Sequence, residues 1–172
     1  MTSTVKVWDP LVRAAHWLLV LSILLAWLSK SGWGAWHERI GYFALAVIGV
    51  RIPWGFAGPG HARFSEFVRS PAHTIEYLRR VLRGDEPRHL GHNPLGGWMI
   101  VALLVVTALV GLSGWLYTTD RFWGVEWVDT LHSTLADALL VLAIVHVSGV
   151  LFGMYRHREN LVASMFHGRK RV

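Results

Sequence analysis

Apolar residues gather into four long runs, 14–29, 40–57, 95–117 and 131–154, the second interrupted by Arg51 and Pro53. Each approaches or exceeds the ~20 residues a helix needs to cross a hydrocarbon layer of ~30 Å. No two-residue alternation separates them, which excludes a β-barrel. With their flanks they predict spans over about 11–30, 37–57, 95–117 and 131–154 in a single domain, 1–172. The expected fold class is an all-α integral membrane protein, a four-transmembrane-helix bundle. The first run draws on Leu11 and Val12 for its length; it lacks a small-x-small cleavage signal and carries His16 and Trp17, so it reads as a retained helix rather than a leader. The stretch 58–94 has another pattern. Phe64, Phe67, Val68, Ile75, Tyr77, Leu78, Val81 and Leu82 alternate with arginines, as in an amphipathic helix on a membrane surface. Ser70-Pro71 supplies a cap and a first-turn proline for a helix reaching about Leu82, which reads as a lid.

Composition strengthens the membrane reading, with 53% hydrophobic and only 16% charged residues, against about a quarter charged in a soluble domain. No cysteine is present, which removes disulfides, iron–sulfur clusters, thiolate metal sites and c-type haem attachment. Basic residues are uneven. Lys6 and Arg13 precede the first span; Arg63, Arg69, Arg79, Arg80, Arg83 and Arg88 lie between the second and third; Arg156, Arg158, Arg169, Lys170 and Arg171 follow the fourth. Four spans put these segments on one face and leave the other with Lys30, Arg39 and Arg121. The positive-inside rule therefore places both termini in the cytoplasm. The net charge of +6 reflects this topology and contact with anionic lipid, not nucleic acid.

The chemistry lies in the histidines. Of ten, four sit in or at the ends of apolar runs: His16, His37, His132 and His146. Ionisable groups at membrane depth are costly, so they are functional candidates. His132 and His146 are fourteen residues apart, about 40° short of whole helical turns and roughly 21 Å along the axis. They face one side at two depths. Chain direction then pairs His16 with His146 at the inner level and His37 with His132 at the outer level. Each pair can supply both axial nitrogens of a six-coordinate haem. Ala15, Gly41, Ala136 and Gly149 leave room beside them, and the histidine-free third span is expected to be a packing wall. Zinc would need more ligands at one depth, and a di-iron centre would need Glu-x-x-His pairs within the spans.

Other polar residues are read from the same spacing. Lys30 follows His16, and Arg51 follows His37, by fourteen residues. Each is a candidate partner for a haem propionate, with snorkelling to the interface as the alternative. Asp137, the one carboxylate well inside a span, is a candidate catalytic proton relay or a packing residue. Trp33, Trp36, Trp115 and Trp127 are aromatic candidates for a quinone pocket at the same end. His61, His73, His89, His92, His157 and His167 read as interfacial or surface residues, His92 shaping the entry to the third span.

The runs Trp8-Asp9-Pro10 and Arg13-Ala14-Ala15-His16-Trp17 resemble the opening of the bacterial cytochrome b561 family, which includes the b-type cytochrome subunits of nickel–iron hydrogenases. Further similarity lies in His37-Glu38-Arg39-Ile40-Gly41-Tyr42, Arg51-Ile52-Pro53-Trp54-Gly55-Phe56, Leu90-Gly91-His92-Asn93-Pro94-Leu95-Gly96 and His157-Arg158-Glu159-Asn160-Leu161. The resemblance implies an inner-membrane cytochrome with two haems b whose ligands map onto His16, His37, His132 and His146. It also implies quinone as substrate and a periplasmic c-type cytochrome or other redox protein as partner. The chain is more compact than the hydrogenase subunits and closer to stand-alone members. Alternatives on the same scaffold are a superoxide oxidase that reduces ubiquinone, or a membrane anchor for a soluble oxidoreductase. Whether it is an electron-transfer protein or a quinone-linked oxidoreductase stays open at this point.

Overall fold

The computed structural model describes residues 3–31 and 34–172. In chain order its elements are β1 (Thr4–Lys6), α1 (Pro10–Ser29), α2 (Ala35–Ala57), a 3-10 turn (Gly60–Ala62), α3 (Phe64–Phe67), α4 (Pro71–Arg83), α5 (Pro94–Tyr117), α6 (Glu126–His157), α7 (Leu161–His167) and β2 (Arg169–Arg171). Four of them, α1, α2, α5 and α6, are long and apolar enough to cross a membrane. Their starts follow local rules. Asp9 Oδ1 accepts from the backbone N–H of Leu11 and Val12, with Pro10 in the first turn, and Asn93 caps α5 ahead of Pro94 in the same way. The last spanning helix, α6, runs 32 residues, from five before the apolar run to three beyond it. Glu126 and Asp129 in its first turn complement the helix dipole and let the helix begin outside the apolar run.

Successive spanning helices pack as neighbours: α1 on α2, α2 on α5, and α5 on α6. Small residues allow close approach, as expected in lipid, where van der Waals fit replaces the hydrophobic drive. A Cβ on Gly111 would lie 2.5 Å from Leu45, and one on Gly97 only 2.4 Å from the Phe67 carbonyl, so α3 presses on the first turn of α5. The outward surfaces are apolar, including Leu21, Leu24 and Leu28 on α1 and Val141, Ile144 and Val145 on α6.

The two ends of the bundle differ. One end, here the terminal end, gathers β1 and β2 with α3, α4 and α7. There β1 pairs antiparallel with β2, Val5 opposite Lys170. The Lys170 ammonium is buried 3.6 Å from Glu159, which also accepts from Arg88 at 3.0 Å. Trp8 Nε1–H donates to Ser164 Oγ at 3.1 Å, joining residues 156 apart. On α4, Tyr77 is buried against the bundle while Ile75, Leu78 and Leu82 form an exposed apolar stripe. Trp98, one turn into α5, donates to the Arg69 carbonyl at 3.0 Å and so holds the start of α4 at the level of the span's first turn. The opposite end carries the short connections from α1 to α2 and from α5 to α6.

Candidate functional site

Each chemical side chain owes its place to a helix, and the four intramembrane histidines meet in two pairs. His37, in the first turn of α2, faces His132 of α6 at the opposite end; their ring centres are 6.1 Å apart and the planes cross at 84°. Nearer the terminal end, His16 of α1 faces His146 of α6 with centres 6.5 Å apart and planes at 57°. These gaps are too wide for a hydrogen bond between rings. They match two imidazoles on opposite faces of one metal, with ~2 Å for each metal–nitrogen bond and about 1 Å from nitrogen to ring centre. A Cβ on Gly41 or Gly149, four and three residues after a histidine of each pair, would meet nothing within 4 Å. Among the described residues no group of three or more His, Cys, Asp or Glu side chains can hold a metal ion. The donor set therefore fits a flat macrocycle held from two sides better than a bare ion.

The pair at the opposite end is braced. Ser29 Oγ donates to the Ala26 carbonyl at 3.1 Å, and His37 Nδ1 lies 3.0 Å from that carbonyl and 3.2 Å from Ser29 Oγ. A carbonyl can only accept, so Nδ1 carries the proton and Nε2 is left for a metal. His132 repeats the motif: Ser113 Oγ donates to the Val110 carbonyl at 2.9 Å, and Nδ1 lies 3.0 Å from Val110 O and 3.1 Å from Ser113 Oγ. Gly114 makes the room, since a Cβ there would sit 3.0 Å from the His132 ring. Sequence reasoning missed Ser29, Ser113 and Gly114. Their signal, a serine near the end of the helix preceding each histidine, has meaning only once the helices are docked.

The terminal-end pair is set differently. His16 Nδ1 is buried without a partner, as are Trp17 Nε1 and Arg51 Nη1. Arg51 is 5% exposed deep in α2, reaching the Ala62 carbonyl at 3.4 Å and lying over the Phe64 ring. Trp54, one turn later, donates to Asp9 at 3.1 Å, which gives the Trp8-Asp9-Pro10 run a double task of capping α1 and tying it to α2. His92 packs between Trp8 and Phe67, with centres 4.5 and 5.0 Å away. Burial first, then the charges of Lys170, Arg51, His146 and His61, push it down to about 3. It is thus a neutral packed residue rather than a surface one. His61, His73, His89 and His92 line one cavity of about 670 Å³ with Glu66, Arg69 and Arg88.

Among the described residues, none of the remaining candidates hydrogen-bonds to a paired histidine. Lys30 is the exposed C-cap of α1, its ammonium 3.9 Å from the Trp27 ring centre. Asp137 is exposed on α6, five residues beyond His132 and so about 140° round the helix from it. Trp36, Trp115 and Trp127 are exposed at the same end, Trp127 lining a cavity of about 540 Å³ with Glu126 and Thr130. Trp33 lies outside the described residues.

No solved structure matches the chain. Among curated proteins it is similar to a probable Ni/Fe-hydrogenase B-type cytochrome subunit of Bradyrhizobium diazoefficiens, 25% identical over 97% of this chain and 86% of that one. A protein of the same description from Azotobacter vinelandii is 24% identical over 96% of this chain and 88% of its own. The family model for prokaryotic cytochrome b561 matches residues 7–168. With four spanning helices and paired intramembrane histidines, the chain belongs to the prokaryotic cytochrome b561 family and is a membrane b-type cytochrome that uses haem b.

Proposed function

We propose that this protein passes electrons through two haems b in series, between the quinone pool and a redox partner at the periplasmic face of a bacterial inner membrane. The observation that carries this reading is the presence of two opposed histidine pairs at two levels of one bundle. His16 and His146 hold the inner haem; His37 and His132 hold the outer one. Haem b, when bound, supplies the one-electron iron chemistry. The protein's own part is to hold both imidazoles of each pair at fixed separation, to keep water from the interior, and to place charge. Arg51 pairs with an inner propionate, its free Nη1 being the available donor. Lys30 serves the outer level through its exposed ammonium. Asp137, outward on α6, is placed to exchange a proton with a quinone approaching from lipid. Basic residues crowd the terminal end, which supports its cytoplasmic placement.

The relatives favour a second reading for the partner. Both are described as hydrogenase cytochrome subunits, so a membrane-bound nickel–iron hydrogenase is a candidate electron donor. One experiment tests the core of the proposal. Purified protein is assayed for haem by pyridine haemochromogen and then mixed with quinol, superoxide or a reduced hydrogenase. Two non-covalent haems b per chain, reduced by quinol or hydrogenase and reoxidised by quinone, are expected. A single haem, or reduction by superoxide alone, would replace this reading.

A further inference from the structure

The two braces on the outer pair are copies of one another. In each, a serine donates to the carbonyl three residues before it, and the histidine Nδ1–H is shared between that carbonyl and the serine oxygen. The acceptors come from the helix that precedes the histidine's own, α1 for His37 and α5 for His132. Both serines are buried, Ser29 to 1% and Ser113 to 5% exposure, so water does not compete for these bonds. At the inner pair His16 Nδ1 is buried with no acceptor at all. The same fold thus holds one pair of imidazoles by their far nitrogens and leaves a ligand of the other pair unheld.

An imidazole whose Nδ1–H donates strongly is a more electron-rich ligand through Nε2, and its ring cannot swing. Electron-rich ligands favour the more positive, oxidised iron, so they lower a reduction potential. We propose that Ser29 and Ser113 are positioning residues that hold the outer imidazoles crossed and electron-rich, making the outer haem harder to reduce than the inner one. The inference rests on the two-haem reading and gives it a direction. Electrons entering at the outer level run downhill to the inner level, where buried Arg51 adds a positive charge that favours reduction.

The test uses the full-length protein in lipid nanodiscs, with Ser29→Ala, Ser113→Ala, the double variant, and Ser→Thr controls that keep the hydroxyl. Redox titration and low-temperature EPR are recorded on each, and a His16→Ala background, which retains only the outer haem, assigns the lower-potential component. The double alanine variant leaves each Nδ1–H one acceptor instead of two. Its lower-potential component is expected to shift upward and to lose part of the strong g-anisotropy typical of crossed imidazoles. The other component stays in place, and threonine restores both signals. Unchanged potentials and spectra with two haems present would overturn the role of the serines, as would a shift confined to the higher-potential component. One haem per chain in the unmodified protein would instead overturn the two-haem reading beneath it.

Discussion

At the opposite end of the bundle, His37 and His132 lean on acceptors one helix away, Ala26 with Ser29 and Val110 with Ser113. At the terminal end, His16 Nδ1 has no such support, and the contacts around it on that face join segments far apart in the chain: Trp54 to Asp9, His92 to Trp8, and Trp8 to Ser164. The His37–His132 pair is thus held locally, each histidine by the helix that precedes its own. The terminal end is instead tied by long-range contacts, the C-terminal strand pairing with the N-terminal one. Helix pairs tolerate change elsewhere in the molecule; a latch made from both termini does not.

The largest test of that difference removes ligands. Replacing His132 or His37 by Ala should halve the haem content and leave the inner spectrum intact, while His146→Ala or His16→Ala should do the converse. Spectra that are alike in all four variants would dissolve the distinction between the sites.

A smaller effect should come from pH. His92 stays neutral in the closed latch down to about 3, whereas a solvated histidine takes its proton near 6.5. Below 6.5 the opened form binds the extra proton, so closure loses stability as pH falls, by at most ~1.4 kcal/mol per unit, and the loss levels off below about 3. Hydrogen exchange should show β1, β2 and α7 loosening in acid while amides around Ser29 and Ser113 stay protected. His92→Phe should flatten the pH response. Equal loosening at both ends would refute the local–global contrast.

The smallest expected change is a tuning one. Arg51→Gln should lower the potential of the inner haem by tens of millivolts, the scale of a screened charge effect of about 1 kcal/mol, and spare the outer one. An equal shift of both would mean that Arg51 acts through general folding. A shift of the outer haem alone would place Arg51 at the wrong level.

Much of this architecture is visible along the chain because its rules are periodic. The hydrocarbon thickness sets how long an apolar run must be, and 3.6 residues per turn sets which histidines share a face. The two levels of His132 and His146 follow from those rules, and so does the angular distance of Asp137 from His132. The helix expected from Ser70-Pro71 to about Leu82 likewise appears as α4, with its apolar stripe turned outward, while Phe64 and Phe67 fall in the separate α3. His92 was not legible as a buried residue, because one of the two rings it packs between belongs to Trp8, far from it in the sequence near the N-terminus.

What the sequence determined by itself is therefore the number of spans, the spacing of the histidines along them and the chain direction that makes opposed pairs possible. These depend only on distances measured along a helix. The rotation of each helix about its axis, the serine–carbonyl acceptors behind His37 and His132, the bare Nδ1 of His16 and the Lys170–Glu159–Arg88 cluster were decided by tertiary structure. Each is a contact between segments whose separation in sequence carries no period, and it acquires an energy only when packing brings the partners within hydrogen-bonding reach.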